Sequence, residues 1–262
     1  MFKARLHRPV EKLLLALGLG VGLLGCDDST GPEEDARLTL SVVVSAAEAG
    51  VSGDEAGAFP TSLLQDDGVH SLVITRVAVV VREIELKRMS DDDCDDLLGE
   101  EHAACEAFEA GPLLLELPLD GSVHQISVAE VAPDVYDEIE IDVHKPEDDG
   151  IEDVQFLLQH PDFKDVSIRV EGTFDGDDFV FFQDLNEERE LDLVPPLEVE
   201  KGFESVNLTL ELDVGSWFRT SGLSLLDPRT GNKGGPNEEL VEENIRASIR
   251  AFADSDKDGR RD

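Results

Sequence analysis

The chain predicts a mainly β protein: an antiparallel β-sandwich of immunoglobulin-like or transthyretin-like type, with a C-terminal α-helix. Three observations predict it. Short segments alternate apolar and polar residues with a period of two. Gly, Asp and Pro punctuate the intervals between them. Only one segment, near the C-terminal end, carries its apolar residues at helical spacing.

In order along the chain, Leu38, Leu40, Val42 and Val44 share one face of a first strand, and the small-residue stretch 45–68 reads as a long loop. Residues 70–88 are rich in Val and Ile. Their even phase gives Leu72, Ile74, Ala78, Val80, Ile84 and Leu86, interrupted by Arg76 and Arg82, which fits a long bent strand or two strands. Segments 113–119 and 122–128 flank Asp120-Gly121, a hairpin signal. The clearest strand puts Ile139, Ile141 and Val143 on one side and Glu138, Glu140, Asp142 and His144 on the other. Val166, Ile168 and Val170 repeat the pattern. Asp175-Gly176 then leads into an aromatic-rich strand, Leu191 and Leu193 mark another, and Val206, Leu208, Leu210, Leu212 and Val214 close the series. Over 237–254, Val241, Ile245, Ile249 and Phe252 fall on one helical face, with Asn237 as cap and Glu238 and Glu239 in the first turn.

The chain has 262 residues, 40% of them hydrophobic, enough to build a core, and a formal charge of −38. That charge excludes nucleic acid as a partner, since such binding needs a basic footprint. It leaves two explanations: solubility in a saline environment, or affinity for divalent cations.

The N-terminus states a destination. Residues 1–12 hold Lys3, Arg5, Arg8 and Lys12 against Glu11, and the 12 residues 13–24 carry no charge. That run is too short to span about 30 Å of hydrocarbon and reads as an export signal. It ends in Leu23-Leu24-Gly25-Cys26, which resembles the bacterial lipobox, and the resemblance implies lipidation of the Cys26 thiol and cleavage before it. Two or three acyl chains hold a domain stably on a bilayer where one chain is marginal. Gly20, Gly22 and Gly25 also spell G-x-G-x-x-G, but inside the export signal they carry no nucleotide site. Cys94 and Cys105 form an even pair in an exported chain and predict a disulfide across a short loop; metal ligation with His102 is the rival reading.

The strand segments 71–86, 136–146, 184–193 and 207–218, behind a lipobox, resemble a family of bacterial lipoproteins built on a domain of unassigned function. The resemblance covers roughly residues 37–218. It implies a lipid-anchored, sandwich-like domain and no activity.

The sharpest chemical pattern is the end of the chain. Asp254, Asp256, Asp258 and Gly259 spell D-x-D-x-D-G, with Asp262 at the ninth position. Alternate acids with glycine at the sixth position wrap the backbone around Ca²⁺, a hard cation that takes several oxygens. The bidentate Glu at position twelve is missing, because the chain stops at nine. The alternative is a frayed charged tail. The clusters Asp91–Asp93 with Asp95 and Asp96, Glu147–Asp149, and Asp175 with Asp177 and Asp178 read as polar loops. The six histidines, at 7, 70, 102, 124, 144 and 160, have no metal-site spacing, and His144 reads as a solvated strand end. Asn207-Leu208-Thr209 matches a glycosylation acceptor but lies in mid-strand. Trp217 and Phe218 read as core rather than a sugar platform.

The expected organisation is an export signal at 1–25, an acylated cysteine and tether at 26–36, a β-sandwich at 37–218, a linker and packed helix at 219–253, and an acidic tail at 254–262. The expected function is a non-catalytic binding or structural module, lipid-anchored in a bacterial envelope at the outer membrane, on its periplasmic or surface face. Its partner is a glycan or an envelope protein, with neither nucleotide nor required cofactor. A Ca²⁺-binding surface protein is the second reading, and a hydrolase using paired carboxylates is the third.

Overall fold

A computed structural model describes residues 36–45, 62–89, 105–148, 150–201 and 205–262; for 105–110 only the backbone is described. The strands are β1 (Ala36–Ser45), β2 (Leu63–Asp66), β3 (Ser71–Arg88), β4 (Cys105–Glu116), β5 (His124–Val131), β6 (Val135–Val143), β7 (Ile168–Phe174), β8 (Asp177–Gln183), β9 (Glu187–Glu198), β10 (Ser205–Asp213) and β11 (Ile249–Ala253). The helices are α1 (Ile151–Gln159) and α2 (Glu238–Ser248). The protein is mainly β, as the alternation predicts.

The strands form two sheets. The smaller has the order β11-β10-β1-β5, and the larger runs β8-β7-β3-β6-β9 with β2 and β4 also paired to β3. One apolar core includes Leu38, Leu40 and Leu208 from the smaller sheet and Ile84, Ile139 and Val170 from the larger. Trp217, Phe218, Val241 and Ile245 complete it.

β3 is a single long strand. One edge pairs with β7 and then β6; the other pairs with β2 and then β4. Its register shifts between Ile74 and Arg76 and again between Val81 and Glu83. An extra residue in a ladder reverses which side chains face inward. The expected even phase therefore fails in the middle. Val77, Val79 and Val81 enter the main core, whereas Ala78 and Val80 face outward beneath Phe156 of α1 and Phe163.

Four other expectations are corrected. First, β1 and β10 run parallel, from Arg37 opposite Ser205 to Ser45 opposite Asp213. The chain leaves β9 opposite Val135, close to Val131, which pairs with Ala36, so β10 enters the smaller sheet at the end where β1 begins. Second, Asp120-Gly121 makes a turn, with Gly121 at φ +72, but the strands it joins lie in different sheets: β4 pairs with β3 and β5 with β1. Third, the C-terminal helix stops at Ser248. Residues 249–253 form β11 and pair with β10 from Leu212–Ile249 to Leu208–Ala253, because an open strand edge satisfies their backbone and seats Ala251 and Phe252. Fourth, the loop expected over 45–68 contains β2. Asp175-Gly176, by contrast, turns a tight hairpin between β7 and β8, both residues having positive φ.

The end of the chain is folded. After β11, residues 254–262 turn back over the outer face of the smaller sheet, where a Cβ on Gly259 would lie 2.9 Å from Val123 and 3.3 Å from Val43. This cover is why Thr39, Ser41, Asn207 and Thr209, on the face of β1 and β10 away from the core, are all buried. Among the described residues no helix is long and apolar enough to cross a membrane.

Candidate functional site

The ladder between β10 and β11 ends where Asp254 N–H donates to Asn207 O at 3.1 Å, and this sets the acidic loop in place. Asp254 is wholly buried. Its Oδ1 accepts from Asp258 N at 3.0 Å, and its Oδ2 accepts from Gly259 N at 3.0 Å and from Thr209 Oγ1 at 2.8 Å. Asp256 Oδ1 accepts from Asp258 N at 3.2 Å. The last residue returns to the first turn of the loop, Asp262 Oδ2 accepting from Ser255 N at 2.8 Å and Ser255 Oγ at 2.6 Å. Those bonds hold the Asp262 carboxyl below the usual carboxylate range.

Asp254, Asp256 and Asp262 thereby offer oxygens that all lie within 4.8 Å of one another. Asp258, the fourth residue of the expected set, does not join them; its Oδ1 accepts from Arg260 N at 2.9 Å. An all-oxygen donor set of this kind suits a hard divalent cation. Among the described residues no Lys, Arg or His forms an ion pair with Asp254. Behind it runs a directed chain of buried hydrogen bonds: Ser41 Oγ to Asn207 Oδ1 at 3.0 Å, Asn207 Nδ2 to Thr209 Oγ1 at 3.0 Å, and Thr209 Oγ1 to Asp254. Each member donates toward the carboxylate. The acceptor asparagine of the glycosylation pattern is a member of this chain and is 2% exposed.

His144 is not a solvated strand end. It is 5% exposed, and its Nε2 lies 2.8 Å from Asp153 Oδ1. Asp153 Oδ2 accepts from Glu147 N at 2.7 Å, which fixes the carboxylate. Among the described residues His144 Nδ1 has no hydrogen-bond partner. The sequence reading expects no helix at 151–159, and this pair depends on that helix. IEDVQFLLQ buries only Asp153 and Phe156 and leaves Ile151, Val154 and Leu158 exposed, so its apolar residues do not gather on the buried face. Arg82 pairs with the neighbouring Asp142 at 2.6 Å.

A second acidic group lies on the outer face of the larger sheet. Glu85 stands opposite Glu140, and Glu140 opposite Glu190, across three strands. Glu138, Glu140 and Glu190 bring oxygens within 4.8 Å of one another, and Lys87 bonds Glu140 at 2.5 Å. Burial first, and then the charge of Glu83, push the Glu85 carboxyl up to about 7. In the Asp175 cluster, Asp175 accepts from His70 Nδ1 at 2.7 Å and Ser71 N at 2.9 Å, while Asp148 pairs with Lys164. Trp217 and Phe218 are buried, and Trp217 Nε1 donates to Ser248 Oγ at 2.7 Å. Cys26, the expected lipidation site, and Cys94 of the expected disulfide with Cys105 lie outside the described residues, as does the 91–96 acid cluster.

No protein-family model matches the chain, and neither a curated protein nor a solved structure is similar to it.

Proposed function

We propose that this protein is a non-catalytic binding or structural module, lipid-anchored through Cys26 in a bacterial envelope, with a glycan or envelope protein as its partner. The basic and apolar N-terminus ending at Gly25-Cys26 supports the anchor. The two sheets around a common core support a sandwich-like module of the lipoprotein type the sequence resembles. Cys26→Ser should release the protein from the membrane fraction. Retention there would remove the lipid anchor from the reading.

A specific observation favours a second role, Ca²⁺ uptake at the acidic loop. Asp254, Asp256 and Asp262 gather their oxygens around a wholly buried carboxylate that no base neutralises among the described residues. Three carboxylates in one place repel each other, and a bound divalent cation removes that repulsion. A ligand that binds only the folded chain raises its stability by mass action. Thermal unfolding of the full-length protein with and without Ca²⁺ tests this. The midpoint should rise with Ca²⁺, and the rise should vanish in Asp256→Asn/Asp262→Asn. An unchanged midpoint at saturating Ca²⁺ would leave the loop as a hydrogen-bonded cap on the sheet and nothing more.

A further inference from the structure

β4 pairs with β3 along one side, and among the described residues no strand pairs with its other side. Which backbone groups face that open side follows from β3. Val80 sits opposite Leu114, yet Val80 N donates to Ser167 O at 2.8 Å and Val80 O accepts from His144 N at 3.0 Å, both across the far edge of β3. In an antiparallel ladder, opposed residues alternate between pairs that exchange both hydrogen bonds and pairs that exchange none. Val80 and Leu114 are a pair of the second kind, so the N–H and C=O of Leu114 point away from β3. Leu117 N donates to Val77 O at 2.9 Å, which fixes the same alternation: the odd residues bond β3, and Leu114 and Glu116 face outward. The edge of β8 shows the contrast. There Phe182 N donates to Asn232 Oδ1 at 2.7 Å, so a side chain caps the edge. Among the described residues nothing caps Leu114 or Glu116 in that way.

A cleft of about 790 Å³ lies between this edge and α1, lined among others by Leu113, Leu114 and Phe156 and by Glu152, Gln155 and Gln159 from one side of the helix. Glu152 stands where β4 bends: a Cβ on Gly111 would lie 3.9 Å from its Oε2. Among the described residues no base pairs with Glu152. These features select an occupant. Outward N–H and C=O groups on alternate residues are matched by another extended backbone, which repeats donors and acceptors at the same spacing. Pro112 has no N–H and ends the usable edge, so the added strand is short. Its charge follows as well. Glu152 awaits a cation, β4 itself carries Glu106, Glu109 and Glu116, and the whole chain has a formal charge of −38. A second copy would bring the same acids to the same edge and be repelled, whereas a basic segment is attracted.

We propose that the open edge of β4 beside α1 docks a partner protein by strand addition: a short extended segment pairs with Leu114 and Glu116 and sets a basic side chain on Glu152. The inference rests on the binding-module reading and takes a protein rather than a glycan as the partner.

The test is calorimetric titration of the full-length protein in lipid nanodiscs with terminally blocked hexapeptides that alternate Val and Thr. Each carries one Lys or one Glu, placed at either end so that both strand directions are covered. A Lys peptide should bind saturably and more tightly than its Glu counterpart. N-methylation of one alternate set of residues should abolish binding, and of the other set largely leave it, because only one set faces β4. A ligand held by its side chains alone would not make that distinction, and the comparison needs no protein variant. Glu116→Pro removes an edge donor and should weaken binding by about tenfold or more, whereas Glu116→Gln keeps the donor and should not. Glu152→Gln should reduce the preference for Lys over Glu by about threefold. Unfolding midpoints measured beside the titrations show that the variants are folded. No binding by any peptide at millimolar concentrations, equal effects of the two N-methyl sets, or no preference for Lys overturns the proposal. A dimer in sedimentation that Glu116→Pro makes monomeric gives the edge to a second copy and overturns it too. Loss of the edge proposal while the protein stays in the membrane fraction through Cys26 leaves the module reading intact. Cleavage of the bound peptide keeps the edge and removes the non-catalytic reading.

Discussion

Thr209 Oγ1 donates a 2.8 Å hydrogen bond to Asp254 Oδ2, and both residues are wholly buried. The bond ties β10 to the first residue of the acidic loop, and so ties the loop to the sheet it covers. Its removal leaves a charged oxygen with one donor fewer in a place water does not reach. A hydrogen bond to a charged group contributes about 1.5–3 kcal/mol. Thr209→Val should therefore lower the unfolding midpoint by roughly 3–12 °C for a domain of this size. Ser41→Ala, at the far end of the same chain of bonds, breaks a neutral bond and should cost about 1 kcal/mol. Scanning calorimetry of the two variants checks the order, and an equal loss from both would mean that the carboxylate is not where the chain is strongest.

Much of the strand content was legible because alternation follows from the pleat itself. Ile139, Ile141 and Val143 face the core as the pattern requires, and so do Leu208, Leu210 and Leu212. The failures have identifiable causes. Ala78 and Val80 are on the unexpected face because bulges reset the phase of β3, and a bulge leaves no mark in a run of Val and Ile. Ile249 and Phe252 fit a helical stripe and a strand equally well, and the open edge of β10 decided between them. The acidic loop was legible as a spacing of Asp254, Asp256 and Asp262, but its closure on the sheet depends on Thr209, forty-five residues earlier in sequence. The His144–Asp153 pair was invisible, since it depends on a helix whose apolar residues do not mark its buried face.

Gly172 makes a sharp steric prediction. It sits in β7 opposite Ile74, and a Cβ there would meet the Val73 carbonyl oxygen at 1.9 Å. The obstacle is backbone in the central strand, which cannot step aside as a flexible side chain can. Overpacking of a core costs about 1–3 kcal/mol, and this position belongs at or beyond the upper end. Gly176, two residues past the end of β7, has open space around it and φ +86, so Gly176→Ala carries only the left-handed penalty of about 1 kcal/mol. Urea unfolding should separate the two variants clearly, with Gly172→Ala much the less stable.

Asp153 satisfies two donors at once, the buried His144 Nε2–H and the half-buried Glu147 amide. Asp153→Ala strands both, and the buried one alone costs about 1–3 kcal/mol. Asp153→Asn keeps one carbonyl acceptor and the shape of the side chain, so its loss should be smaller. Hydrogen exchange gives a local readout: in Asp153→Ala the amides of residues 147–156 should exchange faster than those of the β1–β10 pair. Uniform acceleration across both regions would show that the pair supports the whole fold rather than the position of α1.

Glu85 gives a pH dependence with a definite sign. Its carboxyl is pushed up to about 7 by burial and by Glu83, from an ordinary value of 4.5. Between those two values the folded chain holds a proton that the unfolded chain has released. Stability therefore falls as pH rises through that window, and the contribution is fully present only below the lower value. This opposes the usual carboxylate trend, set here by groups such as Asp67, whose carboxyl is lowered to about 2 by the amides of His70, Leu225 and Val69. Asp67 favours the folded chain above its ordinary value of 3.8 and loses that contribution as pH falls toward 2. Glu85→Gln removes the opposing component. Its midpoint should exceed that of the parent at pH 8 and approach it at pH 4. Parallel midpoint curves for the two proteins across that range would show that Glu85 titrates alike in the folded and unfolded chains, and that burial and Glu83 do not hold its proton.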